Sequence, residues 1–203
     1  MTSIADRLGT AGSHALGRPI TTSEAARLDN YMKLLIKWQR VQRLVGSDDP
    51  GWIVENVIVD SLLFARALPA GIRTLCDVGS GAGIPGIPLK IVMPALSVTL
   101  VEARQRRASF LATAIRELPL AGCRLMNQRV EELSPALAGT FDAVVMRCAG
   151  NPRRLISAVE RLVSPGGIVV ASGPPTATPL TVGEWLQIHG PGGARRFWIH
   201  HVT

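Results

Sequence analysis

Residues 75–88 read Leu-Cys-Asp-Val-Gly-Ser-Gly-Ala-Gly-Ile-Pro-Gly-Ile-Pro, a pattern that suits a strand, a glycine turn and a helix in that order. The apolar run ends at Asp77-Val78, the alternate glycines Gly79, Gly81 and Gly83 follow, and a helix can begin around Pro85. Glycines here permit positive φ and let a ligand approach the backbone where any Cβ would collide. The helix N-terminus adds unpaired amides and a partial positive charge. From residue 72 onward the chain alternates short apolar runs with helical stretches. Strands are predicted at 73–78, 97–101, 123–128, 141–146, 167–171 and 196–202. Several are almost continuously apolar, as parallel strands covered on both faces are, and the segments between the first four suit helices.

Upstream, residues 1–20 are rich in Gly, Ser and Ala and read as a flexible arm. Thr21 and Glu24 have the spacing of a capping box. Leu28, Tyr31, Met32, Leu35, Trp38, Val41 and Leu44 then recur at helical intervals, with Gly46 as the expected stop. Lys33, Lys37 and Arg40 project within about 60° of one another on that helix, as a nucleic-acid contact or as an ordinary solvated face. Asp48-Asp49-Pro50 opens a second helix over 51–68, which Pro69-Ala70-Gly71 breaks. The predicted division is an arm at 1–20 and one domain at 21–203, with helices at 21–70 and an α/β core at 71–203.

The chain carries 22 Lys+Arg against 15 Asp+Glu, a formal charge of +7, which makes a polyanion the first partner to consider. Many ordinary proteins are also basic. Cys76, Cys123 and Cys148 are odd in number, widely spaced and set in apolar runs, so reduced thiols are expected, with neither disulfides nor a metal. No signal peptide and no run near the ~20 residues of a membrane span is evident, and cytoplasm is the expected compartment. His200 and His201 are adjacent and would face opposite sides of a strand, so they do not suggest a metal pair. Trp52, Trp185 and Trp198 read as packing residues.

Two cofactor classes compete for the glycine loop. Gly81-Ala-Gly83-Ile-Pro-Gly86 fits the dinucleotide fingerprint G-x-G-x-x-G. Asp77-x-Gly79-x-Gly81-x-Gly83 resembles motif I of the Rossmann-like methyltransferases, which implies an acid at the amino-acid end of S-adenosylmethionine. Glu102, ending the next strand, supplies acceptors for two ribose hydroxyls and serves either cofactor. Asp77 would repel a pyrophosphate and the following helix is dense in proline, which favours the methyl donor.

Extended to Asp77–Leu89, the segment closely resembles the RsmG (GidB) family, whose members methylate N7 of a guanosine in bacterial 16S ribosomal RNA. Arg106-Arg107 with Phe110-Leu111, Arg129-Val130-Glu131, Phe141-Asp142 with Arg147, Tyr31 to Trp38 and Asp60-Ser61-Leu62 resemble further elements of that family in the same order. The likeness covers about residues 28–172.

It implies a Rossmann-like methyltransferase sheet, mostly parallel with an antiparallel last strand, and N-terminal helices packed on it. It also implies S-adenosylmethionine held by Asp77, Gly79, Gly81, Gly83, Ile84, Glu102, Val130, Glu131 and Arg147. The expected partner is 16S rRNA or the 30S subunit, met by a monomer. Lys33, Lys37, Arg40, Arg106 and Arg107 are the expected RNA contacts, with Arg43, Arg104, Arg153 and Arg154 as further candidates for phosphate.

Arg147, at the carboxyl end of the fourth strand, is the expected catalytic residue, holding the cofactor carboxylate or donating to a guanine oxygen. No Ser-His-Asp or paired-carboxylate constellation is visible, which suits an acceptor whose lone pair is already free. Where the family has Asn-Leu-Thr, a histidine and Lys-Gly, this chain has Arg43-Leu44-Val45, Val57 and Ser172-Gly173. The alternatives are a methyltransferase with a small-molecule or protein acceptor, and a non-catalytic S-adenosylmethionine binder.

Overall fold

Capping chemistry sets the start of the long helix α2 (Thr22–Gln39). Thr21 Oγ1 accepts from the Glu24 amide at 3.2 Å, and Glu24 Oε2 accepts from the Thr21 amide at 2.8 Å. The helix stops at Gln39, well before Gly46. The Gln39 side chain is the reason: Oε1 accepts from the amides of Leu44 and Val45, and Nε2 donates to the Val45 carbonyl, folding the next segment back. Leu44 is buried from that loop, whereas Val41 is left 84% exposed. The structure is a computed structural model and describes residues 4–147, 152–173 and 182–203, without the side chains of 152–154. Cys148, the side chains of Arg153 and Arg154, and the proline-rich stretch after Gly173 lie outside the described residues.

Residues 1–20 depart from the expected flexible arm, because Ile4–Leu16 form helix α1. Leu8 and Ala15 on its inner face are buried in the main core, next to the second helical segment. Ile4, Leu8, Ala11, Ala15 and Leu16 give α1 an apolar face at helical spacing, which the glycines and serines of the segment mask in the sequence. The second segment (α3, residues 50–66) begins α-helically at Pro50–Ile53, behind an Asp49 cap on the Trp52 amide. It becomes a π-helix over Val54–Val59, returns to α over Asp60–Leu62 and closes as a 3-10 turn over Leu63–Arg66.

Seven strands form one sheet in the order β3-β2-β1-β4-β5-β7-β6. β1 (Thr74–Val78), β2 (Ser97–Val101), β3 (Cys123–Met126), β4 (Phe141–Met146) and β5 (Val163–Ser172) are parallel neighbours. β7 (Gly193–His201) runs antiparallel between β5 and β6 (Glu184–Gly190). β6 is absent from the sequence prediction. It is an edge strand exposed at most positions and lacks the apolar run that marks the others.

Strand side chains alternate between two cores. Leu75, Leu100, Ala143 and Val145 face a core shared with the N-terminal helices. Cys76, Val78, Val144 and Met146 face a second core on the opposite side. On the first face lie α4 (Gly86–Val92) and α5 (Gln105–Glu117), while α6 (Pro152–Glu160) packs on β5. Strand order reverses between β1 and β4, and the crevice at their carboxyl ends is where open α/β sheets bind ligands.

Candidate active site

The glycine loop leaves the end of β1 at that crevice. Gly79, Gly81 and Gly83 have φ of 73°, 58° and 86°, a region that L side chains enter only with strain. The amides of Gly79 and Ser80 donate to the Val101 carbonyl at 2.9 and 3.0 Å, which seats the loop on the end of β2. Gly86 is required for a different reason. A Cβ there would lie 2.6 Å from Leu100 Cδ2 and 2.7 Å from Asp77 Oδ2, so α4 approaches the sheet more closely than alanine allows. From the other side, the Tyr31 hydroxyl, fully buried on α2, donates to the Ala82 carbonyl at 2.8 Å. Helical spacing marks Tyr31 for packing alone; its bond to the loop joins residues 51 apart.

Two carboxylates are buried beside this loop. Asp77 Oδ2 accepts from the Gly86 amide at 2.9 Å, while Oδ1 has no partner among the described residues. Burial pushes the Asp77 carboxyl up to about 7, against the pull of that amide. Glu102 immediately follows β2; its Oε2 accepts from the Gly81 amide at 2.9 Å and its Oε1 from the Arg104 amide at 2.8 Å. Each oxygen has two lone pairs, so both can still accept from a ligand hydroxyl. Asn127 braces the site by donating to the Glu102 carbonyl at 2.7 Å.

Arg147 follows the last residue of β4, which is paired in register with Val78 at the end of β1. Its Nη2 lies 2.9 Å from Asp60 Oδ2 and donates to the Asn56 carbonyl at 2.5 Å. Its Nη1 is buried and has no partner among the described residues. Arg195 on β7 donates from Nε to the other oxygen of Asp60 at 2.7 Å. Asp60 and Arg147 both lay within segments of family likeness, but nothing in their spacing revealed that they pair.

The remaining expected residues fall in two groups. Ile84 is half-buried against the main core, and Val130 is buried in a 3-10 turn (Val130–Glu132), with Glu131 exposed beside it. The Arg107 guanidinium comes within 3.5 Å of where a Cβ on Gly81 would sit, so it reaches over the glycine loop. Arg106 is exposed, and Gln42 donates to its carbonyl at 2.9 Å, which joins the loop after α2 to the start of α5. Lys37, Arg40 and Arg43 are exposed near this junction. Lys33 is already ion-paired with Asp29 at 2.6 Å. Of the departures from the family pattern, Val57 is buried in the main core and Ser172 sits opposite Phe197 where β5 pairs with β7.

These residues fit S-adenosylmethionine. An unpaired buried carboxylate oxygen faces a need for a cation, an unpaired buried guanidinium nitrogen faces a need for an anion, and Glu102 has acceptor capacity for a ribose. Residues 24–173 match the model of the rRNA small subunit methyltransferase G family. The chain belongs to that family. Among its relatives in the rRNA small subunit methyltransferase G family, the protein of Aromatoleum aromaticum is 39% identical over 79% of this chain and 76% of its own length. That of Lawsonia intracellularis is 34% identical over 91% of this chain and 89% of its own. A SAM-dependent methyltransferase from Aquifex aeolicus has the same fold at 14% identity, with a TM-score of 0.57 over 76% of this chain and 94% of that one. As a member of the family, the chain is a methyltransferase. Among the described residues no helix is long and apolar enough to cross a membrane.

Proposed function

We propose that the chain transfers the methyl group of S-adenosylmethionine to N7 of a guanosine in 16S ribosomal RNA. It does so as a cytoplasmic monomer acting on the RNA or the 30S subunit. The observation that carries this reading is a pair of buried atoms on groups of opposite charge, Asp77 Oδ1 and Arg147 Nη1, without partners among the described residues and at the ends of adjacent strands beside the glycine loop. Family membership supplies the acceptor class: the relatives of A. aromaticum and L. intracellularis are both named ribosomal RNA small subunit methyltransferase G.

In this reading Asp77 holds the ammonium of the methionyl group and Glu102 the ribose hydroxyls. The backbone of Val130 and the acid of Glu131 lie beside the adenine. Gly79, Gly81 and Gly83 keep side chains out of the cofactor's path, and Ile84 lines it. Bound S-adenosylmethionine supplies an electrophilic methyl on a sulfonium. Guanine N7 offers a free lone pair, so no residue has to remove a proton first. What remains for the protein is orientation and exclusion of water, which can account for much of the barrier. Arg147 orients the reacting groups at the mouth. Lys37, Arg40, Arg106 and Arg107 meet phosphates along the rim that Gln42 ties together. Lys33 would first have to leave Asp29.

The raised Asp77 carboxyl gives a pH prediction. In the free protein it is protonated below about 7, whereas a cationic ammonium requires the carboxylate. Cofactor affinity is therefore expected to rise about fivefold between pH 6 and 7 and by no more than about twofold further above, measured by calorimetry. Stability of the free protein follows the opposite sign. Between its unfolded value near 3.8 and about 7 the native state binds the extra proton, so Asp77's contribution falls as pH rises through that window.

The deciding experiment offers labelled S-adenosylmethionine with 16S rRNA and 30S subunits lacking their native modifications, then maps the label. One guanosine labelled at N7 is the expected outcome. Absence of label despite cofactor binding would sink the acceptor assignment.

A further inference from the structure

Among the described residues Arg147 Nη1 is buried without a partner, and so is Asp77 Oδ1 on the neighbouring strand. A free guanidinium and a free carboxylate in one buried crevice attract strongly, because little water screens them. Collapse of one onto the other would satisfy both and leave nothing for a zwitterionic ligand. Something must hold Arg147 back.

The holding contacts come from α3. Asp60 Oδ2 lies 2.9 Å from Arg147 Nη2, and the same nitrogen donates to the Asn56 carbonyl. The helix is π-wound at this point. The Asp60 amide donates to the Val57 carbonyl, where a regular α-helix would direct it to Asn56. The Asn56 carbonyl accepts from Arg147 Nη2. Behind Asp60 stands Arg195, whose Nε takes the second carboxylate oxygen at 2.7 Å, so Asp60 is gripped from both sides. Isolated π-turns inside helices are frequent at functional sites, and this segment carries both contacts to Arg147.

We propose that Asp60 is the positioning residue for Arg147, braced by Arg195, and that it keeps the guanidinium off Asp77 so that both charges remain open to the cofactor. The role rests on the reading of Asp77 and Arg147 as cofactor-site groups. It does not depend on which acceptor is methylated.

The groups that bear on Asp77 are Tyr31 from α2, Cys76 on β1, Glu102 after β2, Cys123 on β3 and Arg147 after β4. Of these Arg147 is the cation, so its release changes the Asp77 environment most directly. With Asp60→Asn, Arg147 turns to Asp77, and the carboxyl becomes ionised across the whole range from pH 6 to 8.

The test is calorimetric binding of S-adenosylmethionine from pH 6 to 8, with thermal melting as the check on folding. Asp60→Asn is expected to bind at least tenfold more weakly and to lose the rise between pH 6 and 7. In an Arg147→Ala background the same substitution adds less than twofold, because the group it acts through is gone. Affinity within twofold of the parent with an unchanged pH profile would overturn the proposal. So would losses that multiply in the double variant. If Asp60→Asn does not fold, Arg195→Met on the more exposed side is read instead. It should move both readouts the same way by two- to fivefold, and no movement overturns the proposal. These readouts need only the cofactor. A chain that answers them as expected yet leaves 16S rRNA unlabelled keeps the positioning role and loses the acceptor assignment.

Discussion

Arg147→Ala is expected to lower methyl transfer at least 100-fold while the chain remains folded. Two orders of magnitude correspond to about 2.7 kcal/mol of lost transition-state stabilisation. Hydrogen bonds to charged groups are worth about 1.5–3 kcal/mol, so one buried guanidinium acting on a cofactor carboxylate or a guanine oxygen can supply that amount. Nη1 is buried with no partner among the described residues, so its hydrogen bonds are available for that use. The fold should survive because Asp60, the group left behind, keeps its second ion pair with Arg195. Arg147→Lys retains the charge but not the planar fork, and should recover only a small part of the rate. Label transfer to 16S rRNA alongside thermal melting checks both halves. Near-normal turnover by Arg147→Ala would remove it from the site.

The second large effect is on the cradle itself. Gly86→Ala places a Cβ 2.6 Å from Leu100 Cδ2, 2.7 Å from Asp77 Oδ2 and 3.1 Å from Asp77 Cβ. Leu100 is fully buried on β2 and Asp77 is held by β1, so the start of α4 has to move instead. That movement breaks the bond from the Gly86 amide to Asp77 and leaves the carboxyl without a donor. Overpacking costs about 1–3 kcal/mol, and an abandoned buried acceptor adds about 1–3 kcal/mol. At roughly 2–4 °C per kcal/mol for a chain of this size, a loss of about 3 kcal/mol lowers Tm by about 6–12 °C. Cofactor affinity should fall at least tenfold, since Asp77 would stay protonated at neutral pH. Gly9→Ala is the control: nothing lies within 4 Å of its Cβ in α1, and helix propensity favours alanine. A Gly86→Ala protein that melts and binds like the parent would show that α4 can give way.

What was legible in the sequence follows from local spacing. The capping box at Thr21 and Glu24, the glycine loop and the strands Ser97–Val101 and Phe141–Met146 came out where they were expected. Each depends on residues a few positions apart, through a side chain that reaches an amide, a backbone that needs positive φ, or an apolar run buried on both faces. The placement of Asp77, Glu102 and Arg147 followed from the ends of those runs. The arm that proved to be α1, the early stop of α2 and the edge strand β6 did not follow. The apolar face of α1 lies among glycines and serines that argue for coil, while the other two depend on one glutamine side chain and on a neighbouring strand.

The finer arrangement of the site belongs to tertiary structure alone. Tyr31 meets Ala82 across 51 residues, Arg147 meets Asn56 across 91, and Arg195 meets Asp60 across 135. No periodicity relates such pairs. They form because the sheet order sets β1 beside β4, and because α3 and β7 carry Asp60 and Arg195 to the end of β4. Local residue order is enough to say which chemical groups stand at the strand ends; the packing of helices onto the sheet sets which are paired and which are left open, because burial removes the water that would otherwise satisfy them all.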